Sequence, residues 1–284
     1  MPIVHLIKAF TKNPHEGNPA GVVFDADDLT DNQMIQISAD LGFSESAFIS
    51  KSEKADFKIR YFSPTQEVNL CGHATIATFH LLKQEGKIQA GQFTIETKAG
   101  LLAVECAEDG LITMTQFDPQ FLPYESTKTQ IAKLLNLKEN DLLNFPLKIV
   151  STGTPKLIIP VKSLEVLLSI KPDLEGIKQF CIESGARGFY PFTSETISAD
   201  ADFHARQFNP LAGINEDPIT GVAAGALGAY LKHFKLSPKT NFVVEQGFSM
   251  NKPGLIFVDV TDKIKVGGYA VSLHKGCCAL PGQR

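Results

Sequence analysis

The segment ADFKIRYFSP at residues 55–64 returns as ADFHARQFNP at residues 201–210, with six of ten positions identical. After a three-residue insertion in the second copy, EVNLCGHAT at 67–75 aligns with EDPITGVAA at 216–224. Weaker similarity extends the two copies to about 17–117 and 153–262. A repeat of this length is far longer than the few tens of residues of a solenoid unit. It predicts two similar lobes that face each other, with a site between them.

The repeat also predicts the domain organisation. We expect an N-terminal lobe at 1–117 and a C-terminal lobe at 128–284, with the polar, proline-containing segment 118–130 as the linker. The tail at 267–284 has no counterpart before the first copy, so it can pack on either lobe, including the N-terminal one.

Composition is that of a soluble, globular protein, and we expect it to be cytoplasmic. The 284 residues are 43% hydrophobic and 20% charged, enough for two domains with their own cores. A net charge of −4 and a pI near 6.0 give no basic surface for nucleic acid or a membrane. The N-terminus lacks the pattern of a signal peptide, and no apolar stretch is long enough to span a bilayer.

Five cysteines, an odd number without zinc spacing, indicate a reduced chain. The adjacent Cys277 and Cys278 are interpreted as two tail thiols, with a redox role as the alternative.

Short β-branched or aromatic segments predict strands over much of the chain. These segments are FKIRYF, FTIET, LLAVECA, GLITMTQF, KLIIPV, ADFHARQF, NFVVEQG and LIFVDV. Helices are predicted at 28–42, with Thr30 or Asp31 as N-cap and Gly42 as stop, and at 163–185, broken at Pro172. Two more, at 71–85 and 220–234, follow the repeated strand in each copy.

The last two helices decide the architecture. CGHATIATFHLL and TGVAAGALGAYL are almost uncharged and rich in small residues, which is typical of a buried helix approached closely by strands. We therefore predict an α+β fold in which each lobe is a curved, mostly antiparallel sheet around one central helix. The alternative is a two-layer lobe with the helix on one face.

The starts of these helices predict an anion site. Cys71 and Gly72 begin one helix, and Thr220 and Gly221 begin the other. A helix N-terminus offers free backbone N–H groups and about half a positive charge, and glycine lets a ligand come close. We expect the two termini to hold a substrate carboxylate. The alternative is that both glycines only allow tight packing.

Differences between the copies point to the reaction. Shared residues such as Arg60 and Arg206 are interpreted as structural, whereas Glu45, His73 and Asp217 have no polar match in the other copy. Glu45 stands among apolar residues, where burial favours acid–base work, although an exposed loop glutamate is the alternative. His73 at a helix N-terminus is expected to be neutral. Asp217 is either a turn and helix-cap residue or a group at the site.

Four motifs together resemble the PhzF-like family, named for a phenazine-biosynthesis isomerase. They are GNPAGVV (17–23), FSESAFI (43–49), RYFSPTQEVNLCGHAT (60–75) and RQFNPLAGINEDPITG (206–221). The resemblance covers essentially the whole chain. It implies the diaminopimelate-epimerase-like fold, a site in the cleft between the lobes, no metal, pyridoxal phosphate or nucleotide cofactor, and a homodimer.

The resemblance also implies roles for residues of this chain. The family's glutamate, which moves a proton on 2,3-dihydro-3-hydroxyanthranilate, falls on Glu45, and its histidine and aspartate fall on His73 and Asp217. The expected substrate-binding residues lie in the same motifs: Asn18, Ser44, Cys71, Gly72, Thr220, Gly221 and Val222. Val222 departs from the pattern, because the phenazine enzyme has a substrate-contacting serine there.

Three functions remain after this comparison. The favoured one is a cofactor-independent isomerase acting on a small carboxylate-bearing substrate. A two-base racemase or epimerase needs two thiols, but Cys71 is matched by Thr220. A non-catalytic binding protein of the same fold predicts loss of the acid–base residues, and all three are present.

Overall fold

The structure is a computed structural model that describes residues 2–124 and 126–277, of which 274–277 are described by their backbone alone. The chain forms two compact units. The first comprises Met1–Thr115 and Gly267–Arg284, and the second comprises Gln116–Val266.

The first unit is mostly β-strand, with one helix between β2 and β3 and a second, buried helix at its centre. Its strands up to Thr115 are β1 (Ile3–Ala9), β2 (Asn18–Val23), β3 (Ser46–Ser50), β4 (Phe57–Phe62), β5 (Glu67–Val68), β6 (Gly91–Thr97), β7 (Gly100–Cys106) and β8 (Ile112–Thr115). Its helices are α1 (Asp31–Leu41) and α2 (Gly72–Gln84). The predicted limits of α1 are confirmed: Thr30 caps its start and Gly42 ends it in the left-handed conformation.

The second unit adds strands and four helices. The strands are β9 (Gln120–Leu122), β10 (Lys148–Ser151), β11 (Lys156–Pro160), β12 (Phe189–Thr193), β13 (Phe203–Ala205), β14 (Gln207–Asn209), β15 (Ile214–Asp217), β16 (Asn241–Gln246), β17 (Gly254–Asp259) and β18 (Lys265–Gly268), which ends past the unit boundary. The helices are α3 (Lys128–Leu134), α4 (Leu164–Ser169), α5 (Leu174–Ser184) and α6 (Gly221–His233). The predicted break near Pro172 separates α4 from α5, which Ser163 and Asp173 cap.

The tail belongs to the first unit. Its strand β19 (Ala270–Cys277) pairs antiparallel with β1, from Ala270 opposite Ala9 to Cys277 opposite Ile3. The thiols of Cys277 and Cys278, and hence their predicted role, lie outside the described residues.

Both units have the same strand pairing, as the internal repeat predicts. In the first, β2–β3 is parallel, β3–β4 antiparallel, β4–β6 parallel and β6–β7 antiparallel. In the second, the same sequence of pairings runs through β11–β12, β12–β13, β13–β16 and β16–β17. A helix joins the strands of each parallel pair, because parallel neighbours need a crossover. The duplication therefore extends from sequence to topology.

The central helices α2 and α6 are buried on nearly every side. Ten of the thirteen residues of α2 and eleven of the thirteen of α6 are buried. Helix α2 contacts β1, β2, β3, β8 and β19, and α6 contacts β10, β11 and β17. A helix lying on one face of a flat sheet would keep a solvent-exposed face, so the alternative two-layer lobe is wrong. The predicted α+β class is confirmed.

Shared residues of the repeat make the same contacts in both units. Arg60 Nε donates to Glu67 Oε1 at 2.8 Å, and its guanidinium lies 4.9 Å from the ring centre of Phe62. In the second unit, Arg206 Nε donates to Glu216 Oε1 at 2.8 Å and stacks on the equivalent phenylalanine ring at 4.8 Å. These residues stabilise each unit, as predicted for positions that the copies share.

A cross-strand ion pair is also repeated. Lys58 of β4 lies opposite Glu96 of β6, with 3.9 Å between their charged atoms. At the equivalent positions, His204 Nδ1 of β13 lies 2.6 Å from Glu245 Oε1 of β16, and both side chains are fully buried. Burial by itself raises the pKa of Glu245. Hydrogen bonds from His204 and from two backbone N–H groups lower the pKa by more than burial raises it, so the pKa of Glu245 lies below its usual value.

The segment 118–130, interpreted from the sequence as a linker, lies within the second unit. It contains β9, which pairs antiparallel with β10, and the first turn of α3. Phe121 of β9 lies 4.2 Å from the ring centre of His233. Three residues are too few to show a strand period, and the flanking prolines concealed the pairing.

Among the helices of the described residues, none has the length and hydropathy to cross a membrane.

Candidate active site

Glu45 occupies the turn between α1 and β3. Helix α1 stops at Gly42, whose φ of 65° turns the chain, and the Gly42 N–H closes the helix on Ser38 and Ala39 carbonyl oxygens. Strand β3 begins at Ser46, so Glu45 is the last residue before it. Its side chain is about 20% exposed, which is less than an ordinary surface loop would leave. The exposed-loop alternative does not describe this residue.

Strands β2 and β3 begin at the same edge of the sheet in the first unit. Ser46 lies opposite Phe62, the last residue of β4, and opposite Gly21 of the parallel strand β2. Asn18 begins β2 and is buried, and Ser44 precedes β3, so both lie at this edge. The end of β4 leads through β5 to the start of α2, which places Cys71 close to Glu45.

Glu45, Cys71 and His73 form a tight cluster. Cys71 Sγ lies 3.8 Å from Glu45 Oε2, and 3.3 Å and 3.8 Å from His73 Nδ1 and Nε2. His73 Nε2 lies 3.7 Å from Glu45 Oε2, longer than a direct hydrogen bond. Cys71 and His73 are each about 6% exposed. The cluster therefore combines a carboxylate, a thiol and an imidazole, groups that move protons and that are also zinc-ligand types.

The backbone at the start of α2 is fixed by two buried hydroxyl groups. Cys71 is the N-cap residue, in extended conformation, and makes no side-chain capping bond. Its carbonyl oxygen accepts from Thr75 Oγ1 at 2.7 Å, and Thr75 Oγ1 lies 2.6 Å from the Tyr61 hydroxyl. Burial raises the pKa of Tyr61, so it stays a neutral phenol. Sequence reasoning missed both residues, although the second copy has Gln207 and Ala224 at their positions.

Gly72 is not required for packing within the described part of its surroundings. A Cβ atom built on Gly72 would meet only Met114 Cε, at the ordinary contact distance of 3.9 Å. Gly72 is the first residue of α2, where the backbone N–H groups have no partner within the helix. The tight-packing explanation therefore does not account for this glycine.

In the second unit, a buried glutamine organises the start of α6. Gln246 Nε2 donates to the Asp217 carbonyl oxygen at 2.8 Å, and Gln246 Oε1 accepts from the Thr220 N–H at 3.3 Å and the Tyr190 hydroxyl at 3.1 Å. The Thr220 hydroxyl donates to Asp217 Oδ2 in a short hydrogen bond. Burial, followed by the nearby Asp217 charge, raises the pKa of Tyr190, which keeps its proton. Asp217 is thus held by the first residues of the helix, and Gln246 is a second residue that the sequence did not single out.

Val222 and Gly221 lie in the first turn of α6. Gly221 is the first helical residue. Val222 is about 9% exposed, and its carbonyl oxygen accepts from Thr152 Oγ1 at 3.3 Å. Thr220, which stands where Cys71 stands in the first copy, carries a hydroxyl that is committed to Asp217. A second thiol base at this position, which a racemase of the two-thiol type needs, is therefore replaced by a hydroxyl that donates to Asp217.

Comparison with known proteins places this geometry in a family. The model of the phenazine biosynthesis-like protein family, PhzC-PhzF, matches residues 7–276. The uncharacterized isomerase YfhB of Bacillus subtilis is 39% identical over 275 residues, 93% of this chain and 94% of the relative. The trans-2,3-dihydro-3-hydroxyanthranilate isomerase of Pseudomonas chlororaphis is 28% identical, with 97% of this chain and 98% of the relative covered.

A solved structure agrees with the sequence comparisons. The crystal structure of the Bacillus anthracis phenazine biosynthesis protein of the PhzF family superposes with a TM-score of 0.89 at 35% identity, covering 98% of this chain and 99% of that one. The chain belongs to the phenazine biosynthesis-like protein family and is an isomerase of that family, with the diaminopimelate-epimerase-like fold.

Proposed function

We propose that this isomerase moves a proton on a small carboxylate-bearing substrate, with Glu45 as the acid–base group. The observation that carries the proposal is the cluster of Glu45, Cys71 and His73 at the N-terminus of buried helix α2. A mostly buried carboxylate beside an imidazole and a thiol is suited to accept and return a proton. Its side chain keeps about a fifth of its surface exposed, so a ligand can reach it.

The backbone at the start of α2 supplies the binding part of the mechanism. The first N–H groups of the helix, from Gly72 onward, point out of its N-terminus and favour a negative charge there. A substrate carboxylate at these groups places the rest of the molecule beside Glu45, because the helix start and Glu45 belong to one cluster.

Proton transfer then follows from the neighbours of Glu45. The carboxylate removes a proton from carbon and returns it to another atom of the same substrate, so no net charge is left on the enzyme. His73, at a positive helix end that favours the neutral ring, donates a hydrogen bond to the group whose bond order changes. Cys71, held by its carbonyl contact to Thr75, adds a weak thiol donor.

The second unit contributes a matching helix start in this proposal. Gly221 begins α6 as Gly72 begins α2, and Asp217 is fixed beside it by Thr220 and Gln246. We assign Gly221 to carboxylate binding and Asp217 to polarisation of the substrate. The Thr220 hydroxyl supports a single acid–base residue over the two-thiol racemase.

The substrate class is a cyclic or acyclic enol or diene acid similar to 2,3-dihydro-3-hydroxyanthranilate. Support comes from the relative in Pseudomonas chlororaphis, whose name gives that compound, and from the resemblance of the motifs. Val222, where the resemblance calls for a serine, argues for a pocket changed toward a less polar substrate. Loss of one hydrogen bond at such a position costs about 1–3 kcal/mol.

Proton NMR in D₂O tests the proposal, with 2,3-dihydro-3-hydroxyanthranilate and a panel of related unsaturated carboxylates. Wild type should give turnover with deuterium uptake on at least one compound, and Glu45→Gln should still bind that compound but lose turnover. Glu53→Gln, at an exposed glutamate of the same unit, is the matched control and should behave like wild type. Full activity of Glu45→Gln on a compound that wild type converts would remove Glu45 from the mechanism.

A further inference from the structure

The ligand atoms of the Glu45–Cys71–His73 cluster form a nearly equilateral triangle. Its sides are Cys71 Sγ to Glu45 Oε2 at 3.8 Å, Cys71 Sγ to His73 Nε2 at 3.8 Å, and His73 Nε2 to Glu45 Oε2 at 3.7 Å. The centre of such a triangle lies roughly 2.2 Å from each corner, the side divided by the square root of three, and zinc bonds to Cys, His and carboxylate ligands are about 2.0–2.3 Å. Cys71 Sγ lies closer to His73 Nδ1, at 3.3 Å, than to Nε2, so the imidazole ring has to turn to direct the Nε2 lone pair at an ion in this position, whereas the sulfur and the carboxylate oxygen need little movement.

The three side chains are of the types that zinc selects. A thiolate, an imidazole and a carboxylate are all used in zinc sites, and three protein ligands plus one open position are typical of sites that also hold water or a substrate. Calcium and magnesium prefer all-oxygen ligand sets, so the thiol and imidazole select against them. The chemistry of the cluster thus fits Zn²⁺, or Co²⁺ as its spectroscopic substitute.

The ligands are already held in place by the fold. Cys71 and His73 stand two residues apart at the start of α2, and the Cys71 carbonyl is fixed by Thr75. Glu45 is held between the left-handed cap at Gly42 and the first residue of β3. Because the ligands are positioned before the metal arrives, binding does not have to order a flexible loop.

We propose that Glu45, Cys71 and His73 bind Zn²⁺ reversibly and that the bound ion inhibits the isomerase. Cys71 loses its thiol proton to solvent as the Zn–S bond forms, and His73 and Glu45 bind through lone pairs of Nε2 and Oε2. The inhibitory part rests on the proposed function, because the ion occupies the carboxylate oxygen that Glu45 uses for proton transfer. The binding part does not depend on it.

Cobalt titration of the full chain without substrate tests the metal site. Wild type should develop a thiolate-to-cobalt charge-transfer absorption that saturates at one Co²⁺ per chain and disappears when Zn²⁺ is added. Cys277→Ser with Cys278→Ser removes the tail thiols and should leave the band unchanged. Cys106→Ser, at another buried cysteine of the same unit, is the matched control and should also retain it.

Cys71→Ser should abolish the charge-transfer band, and His73→Ala and Glu45→Gln should weaken zinc binding in competition with a chromophoric chelator. The loss should be at least as large as the 10–100-fold that removal of an outer partner of a metal ligand costs. Circular dichroism shows whether each variant has folded. A band that persists in a folded Cys71→Ser chain, or no band in wild type, would overturn the metal site.

Turnover in the presence of metal separates the two proposals. With a converted substrate, Zn²⁺ should lower the rate of wild type and a chelator should restore it, whereas folded Cys71→Ser should resist inhibition. Zinc that binds at Cys71 but leaves turnover unchanged would overturn the inhibitory part and leave the metal site standing, whereas full turnover of Glu45→Gln would refute the proposed function itself. Zinc inhibition that Cys71→Ser does not relieve would refute the inhibitory assignment to this cluster.

Discussion

Substituting alanine for Gly72 should have opposite effects on stability and on ligand binding. Glycine in a helix is less favourable than alanine by about 0.5–1 kcal/mol, because it loses more backbone freedom on folding. The added methyl group would touch only Met114 Cε at 3.9 Å, so it meets no atom that has to move. The free energy of unfolding should therefore stay the same or rise by up to about 1 kcal/mol.

Ligand binding should change in the other direction. The same methyl group stands at the first residue of α2, where we expect a carboxylate to contact the backbone N–H groups. Displacing the anion by a few tenths of an ångström weakens short charge-assisted hydrogen bonds, each worth about 1.5–3 kcal/mol. Losing half to all of one such bond gives an affinity about 3- to 150-fold lower.

Urea unfolding and calorimetric titration with a substrate or competitive carboxylate measure the two effects separately. Gly228→Ala in the equivalent helix of the second unit is the matched control. Its Cβ would lie 2.8 Å from Val258 Cγ1, so it should cost about 1–3 kcal/mol of stability through overpacking. A Gly72→Ala chain that is more stable and binds with unchanged affinity would refute the anion site, and a strongly destabilised one would show that packing selects the glycine.

Three further substitutions test the second unit. Gln246→Glu should lower kcat with a smaller change in KM, measured by steady-state kinetics, because a carboxylate cannot donate to the Asp217 carbonyl; a fall in stability without a fall in kcat would make Gln246 purely structural. Glu245→Gln should cost about 1–3 kcal/mol at pH 7 by urea unfolding. The pKa of Glu245 is lower in the folded chain than in the unfolded chain, where it is near 4.3, so the Glu245 carboxylate stabilises the fold above that pH and this stabilisation is lost as the pH falls through the folded pKa. The free energy of unfolding of Glu245→Gln should therefore fall less in acid than that of wild type. An equal fall in both chains would contradict the role of the buried His204–Glu245 pair. Val222→Ser should raise the turnover of 2,3-dihydro-3-hydroxyanthranilate by roughly 10-fold, the value of one hydrogen bond, and no change in the NMR assay would show that Val222 does not select the substrate.

The sequence predicted the architecture because the repeat and the helix signals are local. Thr30 and Gly42 limit α1 as expected, and the glycine- and alanine-rich segments form the two buried helices. Capping and burial of this kind are decided within a few residues, so single-chain patterns carry them.

Pairing over long sequence distances was not readable in the same way. Strand β9 contains three residues and finds its partner β10 more than twenty residues later, and β19 returns to β1 across almost the whole chain. Such strands are defined by their partner, and neither their length nor their composition marks them.

The sequence indicated some residues of the candidate site and missed others, for a related reason. Glu45, His73 and Asp217 stood out because the copies differ there, and the structure places the first two in one cluster with Cys71. Tyr61 also differs between the copies, but a buried aromatic residue in a strand is expected in any core, so only its hydroxyl contact to Thr75 reveals its position at the site. The sequence alone does not show that the Tyr61 hydroxyl makes a hydrogen bond, because that depends on its contact with Thr75 in the fold.

The comparison of the two units gives the difference between copies a physical meaning. At the shared positions, arginine, phenylalanine and glutamate repeat the same stacking and the same 2.8 Å hydrogen bond in both units. At the helix starts, the units use different chemistry: hydroxyl groups fix the backbone of Cys71, and a glutamine amide fixes Thr220. The two units therefore share the contacts of this arginine and differ in the hydrogen bonds that hold the starts of α2 and α6.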